Sequence, residues 1–585
     1  MKKYRFYQAL LKYRLLLRRK DKVLIFSVFI LSLVIALFEM ATAGVVALLA
    51  QAVLSPETAA GHLKKVLDFL RIDTVLSARQ AFSVSVLGFC GIYLVKNVLG
   101  IFEIFFRRAI IMNIGIAARE RILSSYSNMD YGLYLTRNSS FHESVVSSAG
   151  TALTGLLSVF SALSEFLIVV GLCSFATYSS PIVSVFVLVV AITFGIIQGK
   201  ILAPYVTRVG ERLLELGQRG SQALYEFFHA FKETLLLGKR EYFIDVSQEY
   251  FEQSSRLGAI SESVKEMPRF LVELLFVCVF GGVAYLANPE GVHSSSLASS
   301  LGGCFYVGFR LLPSFSRILT YLSTFEQFIP YVELVHEEFQ KNIDDDFFTS
   351  CPQLTFDRSL SLTDISFQYL NTEREVLSNV CLEIRKGEIL GFVGTTGSGK
   401  STLVDIILGL LKPCRGDVLL DEKFSVSSPE WHRKIGYVPQ SLYLIDGTIA
   451  ENIAFGCAQA DPTRLKEVIL QAQLQGLVNT LPEKENTIVG ERGIRLSGGE
   501  RQRISIARAL YIQPEVLIFD EATSSLDSPT EERIMKTIYE ICAGRTVILV
   551  AHRVTTLKGC DRIAVMEKGR IKEIVSYKEL MLQHA

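Results

Sequence analysis

The stretch Gly394-Thr395-Thr396-Gly397-Ser398-Gly399-Lys400-Ser401-Thr402 carries the phosphate-binding pattern G-x-x-x-x-G-K-[ST], and it restricts the local fold more tightly than any other part of the chain. Ile389 to Val393 just ahead of it read as a buried strand. Leu403 to Leu408 just after it read as a helix, so the stretch has the strand, loop and helix setting that a P-loop requires. Such a loop lies at a helix N-terminus, where glycines let backbone N–H groups close around phosphates. Lys400 then brings a positive charge between the β- and γ-phosphates of a nucleotide, and the Ser401 hydroxyl is placed to ligate Mg²⁺.

Val516-Leu517-Ile518-Phe519-Asp520-Glu521 is an apolar run of strand length that ends in two acids. A buried strand delivering a carboxylate beside a P-loop completes a Mg²⁺ site, so Asp520 is expected to hold the metal and Glu521 to polarise the attacking water. Upstream, Leu496-Ser497-Gly498-Gly499-Glu500 opens a helical stretch from Arg501 to Leu510. A Ser-Gly-Gly at a helix N-terminus is itself an anion site, where hydroxyl and bare backbone reach a γ-phosphate. From about residue 350 short β-rich runs alternate with helical stretches, which predicts an α/β domain with a partly parallel sheet.

The rest of the chain is of a different kind. Half of its 585 residues are hydrophobic, mean hydropathy is +0.34, and the apolar residues concentrate before about residue 325. Six membrane spans are expected, at about 23–54, 81–105, 155–178, 181–203, 267–287 and 297–322. An even number returns the chain to the side on which it starts, and the Lys and Arg residues crowded between Lys2 and Lys22 hold that side cytoplasmic. The apolar stretch from Val23 to Leu54 is far longer than a signal-peptide core, so no cleavable signal is expected. In the first outside loop Leu63, Val66, Leu67 and Leu70 recur at helical spacing, which predicts a short amphipathic helix at the outer interface.

The helical pattern of the second span runs on past Arg107 and Arg108 to Ile122, well beyond a hydrocarbon core of about 30 Å. Residues 204–265 repeat this, with a break near Gly238-Lys239-Arg240. Two stalked hairpins are therefore expected, with turns around Tyr131 to Phe141 and Phe231 to Tyr242 available to touch another domain. Asp344-Asp345-Asp346 marks a linker. The fold class is a membrane α-helical bundle of six transmembrane helices with long cytoplasmic extensions, residues 1–340, fused to an α/β P-loop ATPase domain, residues 350–585. A net charge of +1 provides no global basic field, which argues against nucleic acid as a partner. Ten scattered cysteines without a C-x-x-C pair indicate neither a disulfide framework nor a metal site.

On these motifs the chain resembles the ATP-binding cassette (ABC) transporters of exporter architecture, in half-transporter form. The resemblance implies ATP and Mg²⁺ as cofactors and assigns roles residue by residue. Tyr369 stacks on adenine, and Gly394 to Thr402 form the Walker A loop. Gln440 is the glutamine that joins Ser401 and Asp520 at the metal and couples to the membrane domain. Thr487 to Gly493 resemble the exporter X-loop, which makes Glu491 a coupling residue, and Leu496 to Glu500 resemble the signature motif, with Ser497, Gly498 and Gly499 on phosphate. Glu521 is the catalytic glutamate, Asp527 belongs to the D-loop and His552 is the switch histidine. Glu500 departs from the glutamine usual in the family, with little expected effect. Since Walker A and signature motifs meet across two cassettes, one cassette per chain implies a homodimer with two equivalent ATP sites.

For the cargo, ionisable residues inside the spans are the informative ones, because they are costly there. Lys96 lies in the second span, Arg269 opens the fifth, and Arg310 and Arg317 share one face of the sixth with Ser314. Snorkelling, or for Arg269 a pair with Glu273, is the structural alternative. A basic cavity without matching acids favours an anionic substrate. The segments around Glu266 to Arg269 and Phe309 to Ser314, the outer amphipathic helix and the Ser441 to Leu444 stretch look similar to the lipid-linked oligosaccharide flippases of bacterial protein N-glycosylation. That implies a polyprenyl-diphosphate-linked glycan moved across the bacterial cytoplasmic membrane, among membrane lipids. Other members of the family move lipid A, peptides or drugs. A nucleotide-gated channel or a non-transporting regulator is a reading of another class, and it predicts degenerate catalytic residues.

Overall fold

The computed structural model describes residues 2–54, 78–179, 198–286, 295–343, 354–370, 372–522, 528–542 and 544–584, with positions 61, 193, 195 and 196. The chain divides into two compact units, Met1–Ser127 with Arg137–Asp344, and Asn128–Thr136 with Asp345–Ala585.

The first unit is helical. Its elements are α1 (Lys2–Leu16), α2 (Arg19–Leu54), α3 (Ala78–Ser127), α5 (Ser139–Ser179), a π-helical turn (Gln198–Leu202), α6 (Ala203–His229), α7 (Phe231–Leu236), α8 (Arg240–Leu286) and α9 (Ser295–Ile343), while α4 (Tyr131–Tyr134) groups with the second unit. Among the described residues, the segments Arg19–Val46, Phe82–Ser127 and Ser139–Ser174 are long and apolar enough to cross a membrane. Most of the expected fourth span and the outer amphipathic helix lie outside the described residues. With 50 residues α3 is about 75 Å long, so the stalk expected beyond the bilayer is present. Gly238, with φ +64°, ends the α7 turn and starts α8, because only glycine takes that backbone region without cost.

The basic N-terminal run is more than a topogenic flank. It forms α1, whose Ala9, Tyr13 and Leu16 are buried in one cluster with Phe325, Ile329 and Val332 of α9. Arg5 bridges Glu211 at 2.8 Å and Glu333 at 2.7 Å, tying α1 to α6 and α9. The Tyr13 hydroxyl donates to the Ala152 carbonyl. A Cβ at position 155 would lie 2.8 Å from that hydroxyl, which accounts for Gly155.

In the second unit an antiparallel sheet, ordered β2-β1-β4-β5, contains β1 (Ser359–Gln368), β2 (Glu375–Arg385), β4 (Arg415–Leu420) and β5 (Phe424–Ser425). The other sheet is ordered β10-β9-β3-β8-β7-β6, from β3 (Ile389–Gly394), β6 (Ile435–Val438), β7 (Val516–Asp520), β8 (Thr546–Val550), β9 (Arg562–Glu567) and β10 (Arg570–Val575). Its strands run parallel except β10, the partly parallel sheet that the alternation predicts. The strands β7 and β8 are buried throughout, as expected of a sheet covered on both faces. The turn α4 belongs here: Tyr131 packs against the cassette cluster that includes Leu403, Phe392 and Leu411.

Candidate nucleotide site

The parallel strands β3, β6, β7 and β8 all end on one edge of their sheet, the place where open α/β sheets bind ligands. The P-loop leaves β3 there and leads into α10 (Lys400–Ile407). Gly397 and Gly399 take φ +79° and +99°, and a Cβ on Gly399 would come 2.7 Å from Leu377 Cδ2, so these glycines shape the loop. Thr395, Thr396 and Gly397 form its exposed tip, Ser401 is exposed at its end, and Ser398 and Lys400 are buried beneath. Lys400 Nζ donates to the carbonyls of Gly394 at 2.9 Å and Thr395 at 3.2 Å, which holds the loop curled. Burial lowers the Lys400 pKa, while the charges of Glu521 and Asp520 act the other way. Tyr369 lies beside the loop, its hydroxyl 3.0 Å from Thr402 Oγ1 and its ring edge-on to Phe367.

Strand register brings the acids to their partners. Asp520 pairs with Val550 on β8 and Val438 on β6 pairs with Phe519, so Gln440 and His552 flank the residue after Asp520 from opposite sides. Gln440 Nε2 donates to Glu521 Oε2 at 2.5 Å, and His552 Nε2 lies 2.6 Å from Glu521 Oε1. Glu521 takes φ +48°, a backbone region uncommon for a non-glycine residue and one in which strain collects at functional sites. Burial, with the neighbouring Glu521 charge, raises the Asp520 pKa. The residues fit Mg²⁺: Asp520 Oδ1 is buried without a hydrogen-bond partner among the described residues, and the Ser401 hydroxyl and Gln440 amide oxygen would complete a hard oxygen set. Mg²⁺ held by these residues would neutralise charge on the phosphate oxygens.

The signature turn sits at the start of α11 (Gly498–Tyr511), with Ser497 as N-cap and Gly498 and Gly499 as its first residues. Glu491 is exposed where a 3₁₀ turn begins, after Gly490 at φ +75°. That X-loop is fastened to the segment after Gln440, through Ile449 N to Thr487 O at 3.0 Å and Val489 N to Gly447 O at 3.0 Å. Asp527 lies outside the described residues.

The expectation of a basic cavity without matching acids is corrected. Lys96 Nζ lies 2.9 Å from Glu39 Oε2, with both side chains buried and the Tyr93 ring below the ammonium. Arg317 donates to both carboxylate oxygens of Glu165, at 2.7 and 3.1 Å, and to Ser314 Oγ at 3.3 Å. Arg269 pairs with Glu273 at 3.0 Å, the structural alternative for that residue. The side chain of Arg310 lies outside the described residues. A charge left unpaired at membrane depth is costly, and the acids of α2 and α5 remove that cost. Glu39 and Glu165 stand in apolar runs, the same signal that picks out Lys96, and that signal marks them as the counter-ions. Tyr437 and Asp405, which carry no motif signal, also neighbour Asp520.

Residues 377–524 match the family described as ABC transporter. The leukotoxin translocation ATP-binding protein LktB of Mannheimia haemolytica is 47% identical over 238 residues, 40% of this chain and 33% of that protein, and LktB of Bibersteinia trehalosi matches equally. The chain thus spans about a third of the length of the curated relatives it matches. A solved bacterial Atm1-family ABC exporter with ATP bound superposes with TM-score 0.72 at 22% identity, over 94% of this chain and 96% of that one, a likeness of fold. The second unit is accordingly an ABC ATPase domain that takes ATP with Mg²⁺. The whole shares the fold of that exporter.

Proposed function

We propose that this chain is one half of a homodimeric ATP-driven exporter of the bacterial cytoplasmic membrane that moves an anionic lipid-linked substrate, a polyprenyl-diphosphate-linked oligosaccharide. The observation that carries ATP-driven turnover is the Glu521 carboxylate, held between Gln440 and His552 at the strand ends next to the P-loop. A carboxylate fixed by two hydrogen-bonding neighbours is ready to orient a water in line with a γ-phosphate, while Lys400 and Asp520 balance charge around it. Glutamate, histidine and P-loop lysine are all intact, which speaks against the channel and regulator readings. Glu521→Gln is expected to retain ATP binding and to lower hydrolysis about 10²- to 10⁴-fold, and an unchanged rate overturns the assignment.

Two features support the homodimer. The P-loop and the Ser497 turn lie on separate helix starts, at Lys400 and at Gly498, and the family resemblance pairs them across two chains. The second stalk ends in an exposed apolar tip, with Leu236 76% and Leu237 72% exposed beside Phe228, Phe231 and Tyr242, a surface for a partner's cassette to cover.

The lipid-linked cargo rests on the likeness of the Glu266 to Arg269, Phe309 to Ser314 and Ser441 to Leu444 segments to oligosaccharide flippases. Arg317 is already in the planar, two-bonded arrangement that suits a phosphate, with Glu165 in the place of the oxyanion. A protein or peptide cargo is the second reading, favoured by the likeness of the cassette to leukotoxin translocation proteins. Purified protein in liposomes with ATP separates them. Movement of a fluorescent lipid-linked oligosaccharide between leaflets supports the first reading, and ATP hydrolysis without that movement rejects it.

A further inference from the structure

Tyr437 stands three residues before Gln440, in Ile435-Gly436-Tyr437-Val438-Pro439-Gln440. On β6 it pairs with Ile518 of β7. Side chains alternate along a strand, so Tyr437 and Asp520, two residues past Ile518, project from the same face of the sheet. The Tyr437 hydroxyl donates to Asp520 Oδ2 at 3.4 Å. The other oxygen, Oδ1, is the buried atom with no partner among the described residues. The carboxylate is thus divided, with Oδ2 tethered by the phenol and Oδ1 left for a cation.

We propose that Tyr437 is a positioning residue of the metal site: its hydroxyl fixes the rotation of the Asp520 carboxylate so that Oδ1 faces Mg²⁺ bound with ATP. Groups that hold a ligating carboxylate through its second oxygen set its orientation, and losing one typically weakens metal binding about 10- to 100-fold. The 3.4 Å separation is long for an O–H···O bond, which places Tyr437 at the lower end of that range. The inference rests on the nucleotide site described above.

Full-length protein carrying Tyr437→Phe keeps the ring and loses only the oxygen. In the variant, retention of Mn²⁺ in the protein–ATP complex, followed by its electron paramagnetic resonance signal, is expected to weaken about 10-fold. ATP binding in excess EDTA is expected to stay the same. The Mg²⁺ concentration for half-maximal hydrolysis rises by a similar factor, while the rate at saturating Mg²⁺ stays within about two-fold. Unchanged Mn²⁺ affinity in a variant that still binds metal-free ATP overturns the role of Tyr437 and leaves the ATPase reading standing. Wild-type protein that binds no ATP under either condition overturns both. If Tyr437→Phe misfolds, Tyr437→His and Tyr437→Leu repeat the comparison with and without a ring N–H donor. Metal affinity kept by His and lost by Leu supports the role, and equal loss in both overturns it.

Discussion

Glu500 and Ser497 form a capping box at the start of α11: the carboxylate accepts from the Ser497 backbone N–H and from its hydroxyl, each at 2.7 Å. The acid at this position is therefore bonded directly to the signature serine. It occupies the very hydroxyl that the family resemblance assigns to a γ-phosphate, and adds a negative charge beside it. Glutamine fills the same capping position without the charge. Glu500→Gln is expected to leave thermal stability unchanged and to lower the ATP concentration for half-maximal hydrolysis about five-fold, the effect of removing one repulsion of about 1 kcal/mol at water-like screening. An unchanged ATP dependence refutes this. Asp405, on α10, is pushed up to about 6 by burial and the Asp520 charge. Its folded pKa lies above the ordinary value, so the native state binds the extra proton, and stability falls as pH rises from about 4 to about 6. Asp405→Asn removes the penalty and is expected to stabilise the metal-free protein by about 1–2 kcal/mol at pH 8, with the gain vanishing below pH 4. Thermal melts at both pH values test it, and a gain that persists at low pH contradicts the titration argument.

At the scale of elements, the pair Glu165–Arg317 fastens α5 to α9. Arg317 is 37% exposed and Glu165 15%, so the pair is only partly shielded. Removing either partner strands a charge, at a cost of about 1–3 kcal/mol, below the range for fully buried pairs. Glu165→Ala and Arg317→Ala are expected to destabilise by similar amounts, and the double variant by less than their sum, because no charge is left alone. Strict additivity in detergent melts indicates that the pair contributes no coupling. The same cycle bears on cargo: if Arg317 meets a diphosphate, Arg317→Ala abolishes lipid flipping in liposomes while Glu165→Ala, which frees the guanidinium, retains it.

For the whole molecule, the proposed homodimer has two chains share each ATP. Lys400→Ala spoils a P-loop and Ser497→Arg spoils a signature turn, so neither homodimer has a complete site. Mixed dimers hold one intact site each, and hydrolysis is expected to return in samples where heterodimers are verified by tag. Verified heterodimers without recovered hydrolysis count against shared sites. The division of the chain adds a second whole-molecule feature. Asn128–Thr136 follows α3 in the chain yet groups with the second unit, where Tyr131 is packed against the core cluster of the cassette.

The P-loop, the acid pair after β7 and the capped signature helix were legible from residues 394 to 521 because each is a local device. Positive-φ glycines, an apolar strand and an N-cap serine require only their sequence neighbours to declare a conformation. The long stalks were legible for a similar reason, since helical periodicity carries through regardless of what it packs against. What the linear sequence did not disclose is who meets whom across distance. Gln440 reaches Glu521 over 81 positions because β6 lies next to β7, a crossover that no local pattern encodes. Tyr437 meets Asp520 by the same neighbourhood. Arg317 finds Glu165 over 152 positions because α5 and α9 pack together, and this turned an expected bare basic face into paired charge. The sequence determined the parts and their chemistry through short-range backbone preference. Only the tertiary structure decided which charges were left to act, because electrostatic pairing depends on separations of a few ångströms between residues far apart in the chain.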